Sequence, residues 1–201
     1  MINIGRDIRI CTEIKLESGN WVSADDFIMN PQYPHPLDGY EGAYIIKPIY
    51  DTHDHTVFSI LCEGAGRHNL NPSISPARGM PSNCCKRVKQ ECRSFGKYAK
   101  LHSYLTLKEI EEHAEKLGRI RHCGYVRNED VNKALQGLPV SSSNQVGNND
   151  SYTWLEWDRD EKPLQQIIEA LRRIRVEKNR IFLQRKEIST EDIRIIFWFF
   201  D

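Results

Sequence analysis

The chain has 201 residues, 39% of them hydrophobic, and its 28 Lys plus Arg are cancelled by 28 Asp plus Glu. That balance excludes a whole-molecule field for binding polyanions, though not a local basic patch, and 4 Trp, 8 Tyr and 7 Phe exclude a disordered chain. No apolar run approaches the roughly 20 residues that span a bilayer, and the opening MINIGRDIRI lacks a signal-peptide profile, so a cytoplasmic, membrane-free protein is expected.

In chain order, residues 7–16 alternate, with Ile8, Ile10, Thr12, Ile14 and Leu16 on one face and Asp7, Arg9, Cys11, Glu13 and Lys15 on the other, which predicts a strand. Ser18-Gly19-Asn20 supplies a turn before Trp21-Val22, which predicts a hairpin. The stretch from Asn30 to Gly42 reads as a loop, and two further strands are expected at Ala43–Ile49 and Thr56–Cys62, joined through Asp51-Thr52-His53-Asp54-His55. Residues 64–83 form a long Gly/Pro/Asn/Ser-rich segment of a kind that is usually functional or disordered. It leads into a basic stretch in which Arg78, Lys86, Arg87, Lys89, Arg93, Lys97 and Lys100 face one acid, Glu91; residues 64–100 together read as an insertion.

Thr106-Leu107-Lys108-Glu109 is a capping box that predicts a helix ending near Gly118. A shorter helix is expected over Glu129–Gln136, and residues 141–150 read as a polar surface loop. Ser151–Trp157 has strand composition. After Pro163, the spacing of Leu164, Ile167, Ile168, Leu171 and Ile174 predicts an amphipathic helix. The closing run DIRIIFWFFD is apolar enough to require burial as a central strand. The expected fold is therefore α+β: one domain, with amphipathic helices packed on a mixed or antiparallel sheet.

Six cysteines, at 11, 62, 84, 85, 92 and 123, read as reduced thiols rather than a disulfide scaffold. Cys84, Cys85 and Cys92, with His122 and Cys123, depart from the C-x(2–4)-C spacing of structural zinc sites, so no metal or other cofactor is expected. His53-Asp54-His55 has the form of a metal-binding H-x-H fragment, but no third ligand is placed by sequence. The nucleotide-binding, metalloprotease and serine-hydrolase signatures with readable motifs do not occur.

Several separated motifs agree in order with one pattern. Gly5-Arg6-Asp7-Ile8-Arg9…Glu13 with Gly19-Asn20-Trp21 resembles a G-C-D-I-H…E…G-K-W opening, and Thr56 through Cys62 resembles a Y-x-L-F-A-I-L-A strand. Pro76-Ala77-Arg78-Gly79-Met80-Pro81 resembles a P-R-G-L-P turn, His102 through Leu107 an H-S-x-S-W-L-T-L segment, and Ile193 through Phe199 a terminal R-I-V-F-W-F-D-N. Together these resemble an uncharacterised protein family common in bacteriophage genomes. The Cys and His of that family's opening are Arg6 and Arg9 here. A guanidinium does not serve as a base at neutral pH, but it grips phosphate or carboxylate bidentately.

Arg9, Arg78 and His102, with Asp7 and Tyr104, are accordingly the candidate site, with a phosphorylated ligand as its natural occupant. For each the plain alternative is structural: a solvated strand face for Asp7 and Arg9, a turn ion pair for Arg78, a hydrogen-bonded ring for His102. Cations interleaved with Phe95, Tyr98 and Tyr104 suit a small nucleotide better than duplex nucleic acid, for which a larger charge excess is expected. The expected function is that of a phage accessory, anti-defence protein in the infected host's cytoplasm. It would sequester a nucleotide-derived immune signal, a cyclic nucleotide or ADP-ribose derivative, without turnover. The alternatives are a nucleotide hydrolase using His102 and Asp7, and an inhibitor that binds a host protein. A homo-oligomer is favoured, since such sites often form between symmetric subunits.

Overall fold

The alternation at the start of the chain does produce a strand, but one covered on both sides. A computed structural model describes residues 7–30, 44–50, 52–66, 68–143, 150–182 and 187–200. The Gly5-Arg6 opening and nearly all of the Asn30–Gly42 loop lie outside the described residues.

Strand β1 (Asp7–Lys15) turns through Gly19, at φ +83°, into β2 (Trp21–Ser23). The expected hairpin closes there, Leu16 N–H donating to the Asn20 carbonyl at 2.9 Å. A separate two-stranded ribbon pairs β3 (Phe27–Met29) with β4 (Tyr44–Ile46).

The next element overturns an expectation. Thr56–Cys62 is not a strand; His55–Leu61 forms helix α1. Its apolar run fits either period, and the cap decides: the Asp54 carboxylate accepts from the backbone N–H groups of Thr56 and Val57. The expected hairpin turn is thus absent over residues 52–55, which lead into a helix, and Asp51 lies outside the described residues. The long segment that follows carries no helix or strand among its described residues up to α2 (Lys86–Phe95). Gly66 lies against α1 so closely that a Cβ there would stand 2.5 Å from Ser59 Cβ and 2.6 Å from the His55 carbonyl oxygen.

β5 (Lys100–Thr106) then runs into α3 (Leu107–Lys116), where the Thr106/Glu109 capping box is present with both of its hydrogen bonds. β6 (Ile120–Arg127), α4 (Val131–Leu135), β7 (Ser142–Ser143) and β8 (Tyr152–Arg159) follow. The chain closes with α5 (Gln165–Ile181) and β9 (Ile193–Phe200).

The main sheet has the order β2-β1-β9-β5, every pairing antiparallel. The C-terminal strand is thus the buried interior strand expected of it, with seven of its eight residues buried. Ile193, Ile195, Phe197 and Phe199 pack on α1, α3 and α5, whereas Ile196 and Trp198 meet Cys11, Cys84 and Val88 under α2. The basic stretch therefore supplies a helix that covers the sheet's second face, with Lys86, Arg87 and Arg93 exposed and Val88 inserted. A second antiparallel sheet, β7-β6-β8, carries α4 on its own small cluster of Val126, Ala134 and Trp157. The molecule is one α+β domain, and no helix among the described residues is long and apolar enough to cross a membrane.

Candidate functional site

The five expected site residues fall into two groups, on the two strands that flank β9. Asp7 and Arg9 lie on β1; His102 and Tyr104 lie on β5, with Arg78 docked beside them. Trp198 of β9 stands between the groups, opposite Arg9 in register and with its ring centroid 6.3 Å from that of His102.

In the β5 group the guanidinium of Arg78 is engaged within the protein. It pairs with Glu109 Oε1 at 2.7 Å, donates to the Tyr104 carbonyl at 3.2 Å and lies 5.5 Å from the Tyr104 ring centroid. Burial pushes the Glu109 carboxyl up, but hydrogen bonds from Thr106 and Arg78 outweigh it and hold the pKa below the ordinary glutamate range. Arg194 approaches the Tyr104 ring as well, at 5.7 Å. His102 sits in a bulge, where the β5–β9 register shifts between Lys100 and Ser103 and Leu101 adopts φ +51°. Burial lowers its pKa, favouring the neutral ring. These residues knit the Pro76–Pro81 turn to the sheet: the Arg78 N–H donates to Ser103 Oγ at 3.3 Å and the Gly79 N–H to the His102 carbonyl at 2.8 Å.

The β1 group opens onto a cavity. Arg9 donates from Nε to Glu91 Oε1 of α2 at 3.0 Å and also forms an ion pair with that carboxylate through Nη2. It lines a hollow of about 260 Å³ with Asp7, Tyr50, His53, Phe58 and Phe200. Asp7 and His53, 46 positions apart in sequence, meet there, Asp7 Oδ1 lying 2.8 Å from His53 Nδ1. His53 Nε2 in turn lies 3.2 Å from His55 Nε2. A neighbouring hollow of about 280 Å³ begins at the same ring and is lined by His53, His55, His68, Asn71, Arg121 and His122 among others. Asn71 fastens that wall: its side chain donates to the Arg121 carbonyl and accepts from the Arg121 N–H, each at 2.9 Å. His122 stacks on Trp157 and bonds Glu161 at 2.7 Å, and this hydrogen bond holds the Glu161 carboxyl below its ordinary pKa.

Sequence reasoning thus reached Asp7 and Arg9 but not the histidine-lined cleft they adjoin. The available signal was His53-Asp54-His55, whose partner Asp7 lies on another element. Among the described residues no group of three or more His, Cys, Asp or Glu is arranged to hold a metal ion, the cysteines with His122 included. All six cysteines are free thiols, and burial raises the pKa of Cys84, Cys85, Cys92 and Cys123. Comparison of the chain with protein-family models, curated proteins and solved structures finds no match.

Proposed function

We propose that the protein binds a small phosphorylated, nucleotide-derived molecule in the two hollows that meet at His53. The observation that carries this reading is the pairing of linings across one shared ring. On one side are the Arg9 guanidinium and the half-buried Phe200 ring, with the buried rings of Tyr50 and Phe58 in the wall; on the other are Arg121, Asn71 and the histidines. Phosphate is recognised by guanidinium, amide and imidazole donors, and a base by aromatic faces. Together the hollows reach the roughly 300–1,000 Å³ typical of small-molecule sites. With the resemblance to a phage protein family, this supports an anti-defence role in the infected cell: sequestering a cyclic nucleotide or ADP-ribose derivative that signals immunity.

A second reading, hydrolysis of such a signal, is favoured by the contact of Asp7 with His53. A carboxylate that accepts the Nδ1 proton of an imidazole leaves Nε2 as the basic nitrogen, which here lies 3.2 Å from His55 Nε2 at the edge of the cleft. One experiment separates the two. The protein is incubated with cyclic dinucleotides and ADP-ribose derivatives, desalted and heat-denatured, and the released molecules are chromatographed. Intact ligand released in proportion to protein supports sequestration. Product that disappears in His53→Ala supports hydrolysis, and absence of any retained or altered compound overturns both.

A further inference from the structure

The spacing of the two imidazoles has a meaning independent of any nucleotide. We propose that His53 Nε2 and His55 Nε2 are the protein ligands of a divalent transition-metal site, with Asp7 as its positioning residue. Two metal–nitrogen bonds of about 2.0–2.1 Å at a tetrahedral angle place the nitrogens roughly 3.3 Å apart. The observed separation is 3.2 Å, the spacing that two nitrogens on one ion require. Histidine ligands characteristically give their other ring N–H to a carboxylate, which fixes the tautomer and raises the basicity of the ligating nitrogen. Asp7 Oδ1, 2.8 Å from His53 Nδ1, occupies that position.

In the metal-free protein the Nε2–H of His55 donates to the lone pair of His53. On binding, the His55 ring changes tautomer, its Nε2 proton being exchanged through solvent for one on Nδ1, and both Nε2 lone pairs turn to the ion. His53 keeps its Nδ1 proton on Asp7 throughout. The remaining coordination positions open into the cleft, where water or a ligand oxygen completes them. Imidazole donors suit Zn²⁺, Co²⁺, Ni²⁺ and Cu²⁺ rather than Mg²⁺ or Ca²⁺. The site stands whether or not a phosphorylated molecule binds beside it.

Titration of the purified full-length chain with Co²⁺, followed by visible absorption and calorimetry, tests this. Expected are one ion per chain with submillimolar affinity and d–d bands without a thiolate charge-transfer band. His53→Ala should abolish binding, and Asp7→Asn should weaken it by ~10–100-fold. Should His55→Ala disturb α1, His53→Gln carries the test, because His53 precedes the helix and its side chain is 43% exposed. No saturation at millimolar Co²⁺, a thiolate band, or unchanged affinity in the His53 variants overturns the proposal.

Discussion

Glu13 and Arg194 face each other directly in the β1–β9 register and form a fully sequestered ion pair. Arg194 donates from Nε and Nη2 to Glu13 Oε2 at 2.9 and 2.7 Å, and the two side chains are 5% and 0% exposed. The other carboxylate oxygen accepts the Cys85 N–H at 2.7 Å, at the entrance to α2. Arg194 also donates to Asn83 Oδ1 and stacks 3.8 Å from the Trp21 ring centroid. One buried pair thus ties the central strand to β2 and to the segment that delivers α2.

Removing one partner leaves the other as an uncompensated buried charge. Glu13→Ala is expected to destabilise the fold by about 3–5 kcal/mol. The double variant Glu13→Leu/Arg194→Met should recover a large part of that loss, because an apolar pair carries no desolvation cost. Urea unfolding midpoints at constant m-value provide the measurement.

Asp25 gives the stability a pH dependence of unusual sign for a carboxylate. Its side chain accepts from the Thr12 N–H at 2.6 Å and from Ser23 Oγ at 3.0 Å, yet burial outweighs these bonds and raises its pKa from 3.8 to about 6. The folded state therefore holds this proton more tightly than the unfolded chain. The stabilisation is complete below about pH 4 and is lost as the pH climbs through about 6. Relative to the native chain, Asp25→Asn should gain on the order of 2 kcal/mol between those limits. A parallel pH profile for the two proteins would show that Asp25 does not titrate in this range.

Helix α1 presents His55 to the cleft and is held from two directions. Asp54→Ala removes the cap and should cost about 1 kcal/mol. Gly66→Ala forces a methyl into Ser59 and the His55 carbonyl and should cost about 1–3 kcal/mol. Both are read by thermal unfolding. The second should also reduce retention of a phosphorylated ligand, since it displaces the turn that carries His55.

The two arginines of the candidate site should separate in binding assays. Both guanidiniums are paired within the protein, Arg9 with Glu91 and Arg78 with Glu109 and the Tyr104 carbonyl, but Arg9 also lines the hollow that contains His53. Arg9→Gln is expected to lower retention of the phosphorylated ligand about tenfold, the order of a lost charge-assisted contact. Arg78→Ala should leave retention unchanged. Equal losses in both variants, measured by equilibrium dialysis, would place the ligand at the β5 end instead.

Much of the fold was legible because the relevant signals are local. The period-two pattern of β1, the Thr106/Glu109 capping box, the apolar stripe of α5 and the unbroken hydrophobicity of β9 each lie within one short segment. β5 and β6 were not recognised. A bulge breaks the alternation of the first, and the second interleaves Arg121, His122, Cys123 and Gly124, whose strand pairing is stabilised by β8 rather than by propensity. Thr56–Cys62 was misread because β-branched and apolar content favours a strand until the Asp54 cap is weighed.

Composition and periodicity alone determined that this chain folds as α+β around its own C-terminus, since a terminus so apolar has no stable place but an interior. Which charged groups neutralise each other and which line a cavity was decided only in three dimensions. Arg9 and Arg78 are alike in sequence, yet their carboxylate partners arrive from helices 82 and 31 residues away. Asp7 likewise reaches His53 only when β1 and the approach to α1 are packed side by side. Electrostatic and hydrogen-bonding energies depend on separations of a few ångströms, and distance along the chain does not encode them.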